Sequence, residues 1–110
     1  MEELLDEVER IMKNELVRAN KKNPLFNSPH EAYAVIKKEA EEAEYECALI
    51  KDALSQFWSY VKCDGGAPDM LDCLDQTKEK AMNLAAESIQ VAAMAQKAID
   101  SIEVKQELQK

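Results

Sequence analysis

Ser28-Pro29-His30-Glu31-Ala32-Tyr33-Ala34-Val35-Ile36-Lys37-Lys38-Glu39 is the stretch on which the fold turns. A serine hydroxyl ahead of a proline can accept the amide of the third helical residue. The proline fits the first helical position, and Glu31 can reach back as the partner in a capping box. No Gly or Pro follows until Cys63-Asp64-Gly65-Gly66-Ala67-Pro68-Asp69, where Gly65-Gly66 suits a left-handed exit and Pro68-Asp69 a restart. Lys21-Lys22-Asn23-Pro24-Leu25-Phe26-Asn27 makes the other break. With only 2 Gly and 3 Pro in 110 residues, and no β-branched clusters, the elements must be few, long and helical. The pattern predicts one helical domain over residues 1–110, with helices at about 2–20, 30–63 and 69–104 and a frayed C-terminal tail. The third helix is patterned least clearly before Gln76-Thr77, where a break is conceivable. A helix over 30–63 would be about 50 Å long, whereas a compact chain of this size has a radius of gyration of roughly 13 Å. The expected architecture is therefore all-α, an antiparallel bundle of long helices completed by oligomerisation into a dimer or tetramer.

Charge and cysteine usage narrow the function classes. Lys and Arg number 14 against 22 Asp and Glu, a net charge of −8, which argues against a nucleic-acid polymer as partner. No apolar run approaches the roughly 20 residues of a membrane span. The opening Met1-Glu2-Glu3 is acidic where a secretion signal would be basic, so the expected location is cytoplasmic. Cys47, Cys63 and Cys73 form no C-x-x-C pair and read as reduced thiols, neither a disulfide framework nor a zinc site.

The helix faces carry the anomaly. With Ala32 set at zero on a wheel, Ile36, Ala43, Cys47, Ile50, Leu54, Phe57 and Val61 fall within about 60° of it. Glu39 lies in the middle of this apolar stripe, Glu46 beside it and Glu42 at its edge; Glu41 and Glu44 point towards water. On the third helix Leu84, Glu87, Val91, Met94, Ala98 and Ile102 form one seam, flanked by a second of mostly small residues, Ala81, Ala85, Ser88, Ala92, Ala95 and Ile99. Glu87 again interrupts an apolar seam. Carboxylates that share such a place need a compensating cation or proton, and a hard divalent ion with oxygen ligands supplies it. The competing reading is a set of seam-edge glutamates that reach water or pair with Lys37, Lys38 or Lys78.

Glu39-Ala40-Glu41-Glu42, followed much later by Glu87-Ser88-Ile89-Gln90, resembles the ExxE … ExxD signature of the MazG-like, all-α nucleoside triphosphate pyrophosphatases. The phrases from Ser28 to Glu39 and from Ala86 to Ala95 resemble small phage-encoded members, and the likeness covers about residues 28–104. The resemblance implies a helical homodimer or tetramer that binds Mg²⁺, or Mn²⁺, through the motif carboxylates. It also implies hydrolysis of NTPs or dNTPs to a monophosphate and pyrophosphate. Glu39, Glu42 and Glu87 match three ligand positions, with Glu46 as a further candidate. The fourth position, Asp in the family, is Gln90 here; an amide offers one neutral oxygen and no charge. Lys38 and Trp58 are the candidate substrate contacts, while Phe57 belongs to the core stripe. The alternative to the enzyme is a phage or prophage helical oligomer that keeps the scaffold without the chemistry and acts as a binding or structural protein.

Overall fold

The chain is all-α in the computed structural model, which describes residues 1–109. Three helices follow one another: α1 (Glu2–Ala19), α2 (Pro29–Lys62) and α3 (Ala67–Leu108). The start of α2 is built from the residues that signalled it. Ser28 Oγ accepts the Glu31 amide at 3.2 Å. Glu31 reaches back one residue further than a capping box requires, accepting the Asn27 backbone amide at 3.3 Å and its side-chain amide at 3.2 Å. α3 is continuous through Gln76-Thr77, where the Thr77 hydroxyl donates to the Cys73 carbonyl at 2.8 Å. It also runs on past 104, where a frayed tail was expected, to Leu108; Lys110 lies outside the described residues. The extension has an anchor, since Lys105 Nζ donates to the Asn27 carbonyl at 2.6 Å.

The turn from α2 to α3 departs from expectation. No glycine takes a left-handed conformation; Asp64 does, with φ 49°. Gly65 N–H then donates to the Tyr60 carbonyl at 2.8 Å and Asp64 N–H to the Val61 carbonyl at 3.4 Å, the two bonds of a Schellman motif. Asp is among the residues that tolerate a left-handed backbone, because its short side chain can bond locally. Gly65 serves a different need. A Cβ there would lie 2.9 Å from Tyr60 Cδ1, so the glycine permits a close approach rather than an unusual dihedral.

The chain divides into two compact units, Met1–Ala40 with Ser88–Lys110, and Glu41–Glu87. The first has a core of Phe26, Ala32, Ala93 and Met94, against which Met12, Leu16, Ala19, Val35, Ile36 and Ala98 pack. Phe26 belongs to no helix, yet it is buried and held. Its N–H donates to Ser101 Oγ at 2.9 Å, and that hydroxyl donates to the Lys97 carbonyl at 2.7 Å. Lys97 is buried too, its ammonium 4.6 Å from the centroid of the Phe26 ring. A cation over an aromatic face recovers part of the solvation it loses. The second unit is a helical hairpin whose buried apolar residues are Ala53 and Cys73 alone among those described.

Candidate metal centre

Glu39 and Glu42 stand three residues apart on α2, a spacing that puts both on one helix face. Glu87 is on α3, in the same unit as Glu42. One carboxylate oxygen from each of Glu39, Glu42 and Glu87 lies within 4.8 Å of the other two. Glu39 and Glu87 are half-buried and Glu42 is exposed, so the group opens to solvent on one side. Two oxygens on one Mg²⁺ lie at most about 4.2 Å apart, and on one Ca²⁺ about 5 Å. The observed spread is within a side-chain rotation of either. An all-oxygen, all-carboxylate donor set suits a hard divalent cation, and no imidazole or thiolate belongs to the group to favour zinc.

The remaining sequence candidates lie elsewhere. Glu46 is outside the three-carboxylate group; its Oε2 is buried without a hydrogen-bond partner. Gln90 is turned onto α1, its Nε2 donating to Glu15 Oε1 at 2.6 Å. Glu15 also forms an ion pair with Arg18 one turn along α1. The hydrogen bond from Arg18, followed by that from Gln90, holds the Glu15 carboxyl below its ordinary range. Lys38 is exposed and, being adjacent to Glu39, points about 100° away round the helix. Trp58 is exposed, with Lys62 Nζ 5.7 Å from its ring centroid. Its position 16 residues beyond Glu42 on α2 amounts to about 24 Å of helix, which leaves it remote from the glutamates.

The contact that sequence reading missed is Glu15. Met12, Leu16 and Ala19 pack on the core, and Glu15 sits at i+3 from Met12 and i−4 from Ala19. It therefore interrupts an apolar stripe as Glu39 does, and the same pattern applied to α1 flags it. Comparison with protein-family models, curated proteins and solved structures finds no match.

Proposed function

We propose that the protein is a MazG-like, Mg²⁺-dependent nucleoside triphosphate pyrophosphohydrolase that works as a homo-oligomer. In this reading it adds water across a phosphoanhydride bond of an NTP or dNTP to give a monophosphate and pyrophosphate. The convergence of Glu39, Glu42 and Glu87 carries the reading, because three carboxylates gathered from two helices match a hard cation's chemistry. Glu39, Glu42 and Glu87 would hold Mg²⁺, or Mn²⁺ in its place. The ion would supply the positive charge that a chain of net charge −8 otherwise lacks for a polyphosphate. No helix is long and apolar enough to cross a membrane.

One observation favours a second reading, a phage or prophage helical oligomer without the chemistry. Gln90 carries no charge, and its amide nitrogen is engaged by Glu15. Isothermal titration with Mg²⁺ and Mn²⁺, with and without a panel of nucleoside triphosphates, separates the two. The enzyme reading expects metal binding that Glu39→Gln and Glu87→Gln abolish and Glu41→Gln leaves intact, together with pyrophosphate release. The absence of heat across the whole panel favours the second reading.

A further inference from the structure

We propose that one side of the Glu41–Glu87 hairpin is a docking surface for an acidic amphipathic helix of another protein. The charge of the chain is divided unevenly. The hairpin holds 4 lysines and no arginine against 11 carboxylates, a net charge of −7 out of the chain's −8. Within the hairpin the two signs are then segregated. Measured round each helix from its buried residue, Ala53 on α2 and Cys73 on α3, the exposed Leu54, Trp58 and Val61 fall at about 80–140° and the exposed Leu71 and Leu74 at about 100–160°, in the same rotational sense. Lys51, Lys62 and Lys78 are exposed on that same arc, at about 140–180°. Asp52, Asp69, Asp72 and Glu79 lie about 40–120° round in the opposite sense. The two helices of a hairpin run antiparallel, so offsets of one sense turn to one side. Three of the four lysines therefore border the apolar side, and those four carboxylates lie across the hairpin from it.

Spacing along the helices identifies the occupant. Counted from the turn at 1.5 Å per residue, Trp58 and Leu71 stand level at about 6 Å, Leu54 and Leu74 at about 11 Å, and Lys51 and Lys78 at about 16 Å. Lys62 marks the turn end, its ammonium 5.7 Å from the centroid of the Trp58 ring. Two apolar rungs thus lie between cationic ends, over a length that a helix of about 11 residues spans. Apolar residues at i, i+3, i+4 and i+7 on such a helix would cover the rungs, and Asp or Glu at both its ends would meet the lysines. A second copy fits this side poorly. Two-fold pairing of the side with itself, parallel or antiparallel, sets lysines against lysines. Lys78 pairs with Asp75 at 3.5 Å, but the two side chains are 72% and 70% exposed, so the pair contributes little and can be exchanged. The carboxylates across the hairpin are a helix diameter of about 10 Å away, beyond the screening length of about 8 Å at physiological salt. Glu42 and Glu87 stand about 30 Å from the turn, so docking here does not depend on what the glutamates hold.

Trp58 is the only tryptophan, so the side carries its own reporter. The test titrates the full chain with a synthetic three-turn helix bearing a leucine stripe and glutamates at both ends, and with the same helix carrying lysines in their place. The expected result is a blue shift of Trp58 emission, with binding about tenfold or more tighter for the glutamate helix and weakening as salt is raised. Lys51→Glu with Lys78→Glu should reverse that preference, while Lys13→Glu on α1 leaves it intact. All three lysines are exposed, and far-UV circular dichroism checks that each variant is folded. Equal binding of the two helices, or tighter binding of the lysine helix, overturns the proposal. So does Trp58 emission that neither helix moves, whether or not phosphatidylserine vesicles move it. A homo-oligomer in which Trp58 is already shielded from iodide also overturns it, because a second copy then holds the side. The wild-type comparison decides even where the double variant fails to fold.

Discussion

Gln90→Asp is the substitution on which the site and the α1 contact make opposing demands. It replaces an amide donor, 2.6 Å from Glu15 Oε1, with a shorter carboxylate. A hydrogen bond to a charged group contributes about 1.5–3 kcal/mol. The Glu15 side chain is only 18% exposed, so solvent replaces little of it. Two carboxylates facing each other across this partly screened contact add about 1 kcal/mol of repulsion. A net loss of about 2.5–4 kcal/mol is expected in metal-free buffer at neutral pH. An unfolding entropy of about 2.1 cal/mol/K per residue converts that loss to a fall in Tm of about 11–17 °C. Thermal melts followed by far-UV circular dichroism, in chelator and in excess Mg²⁺, read the effect. A Glu15→Gln background isolates the pair, because most of the loss should vanish once no charge faces Asp at position 90. A Tm unchanged in chelator refutes the Gln90–Glu15 contact. Position 90 lies one turn beyond Glu87, so an added carboxylate there can also serve an ion held by Glu87. Mg²⁺ should then recover part of the loss, and an equal loss with and without Mg²⁺ counts against the metal centre.

Ser101→Ala removes the acceptor of the buried Phe26 N–H; set against a small gain in helix propensity, the loss is about 1–2 kcal/mol, checked by urea denaturation. Gly65→Ala should lower stability by pressing a Cβ to 2.9 Å from the Tyr60 ring, whereas Asp64→Gly should be tolerated; the same denaturation series reads both. Acid should weaken the α1 contact. With the Glu15 carboxyl held below its ordinary value of 4.5, the unfolded chain takes up that proton first as pH falls. The contribution is therefore complete above pH 4.5 and is lost progressively as pH drops through the lowered value, so Glu15→Gln should flatten the pH dependence of Tm on the acid side.

The helices were legible because punctuation was sparse and chemically distinct: Ser28-Pro29 can begin a helix, and the Cys63–Asp69 segment can hardly continue one. Glu39, Glu42 and Glu87 were visible as carboxylates in or beside apolar stripes. What stayed hidden has no periodicity to betray it. Phe26 sits in a link between helices, where one aromatic looks like any loop residue, and its burial depends on Ser101 and Lys97 far along the chain. Gln90 reads as a substituted ligand on its own helix, while its partner Glu15 is 75 residues away. Residue type alone points to Gly65-Gly66 for the left-handed position. Asp64 holds it because the glycine is required one place later, against Tyr60.

The discontinuity of the first unit sets an order of events during synthesis. Glu41–Glu87 is one uninterrupted segment whose helices can meet as soon as both have left the ribosome. Met1–Ala40 cannot find its partners then, because Gln90, Ser101 and Lys105 are made later; the bonds from Glu15, Phe26 and Asn27 span 75 to 78 residues. At about 5–20 residues per second, the interval between the emergence of Ala40 and that of Lys105 is several seconds to about 13 s. Through that interval Met12, Leu16 and Phe26 have no core to enter, and the nascent N-terminal segment is the part of the chain most open to chaperones and proteases.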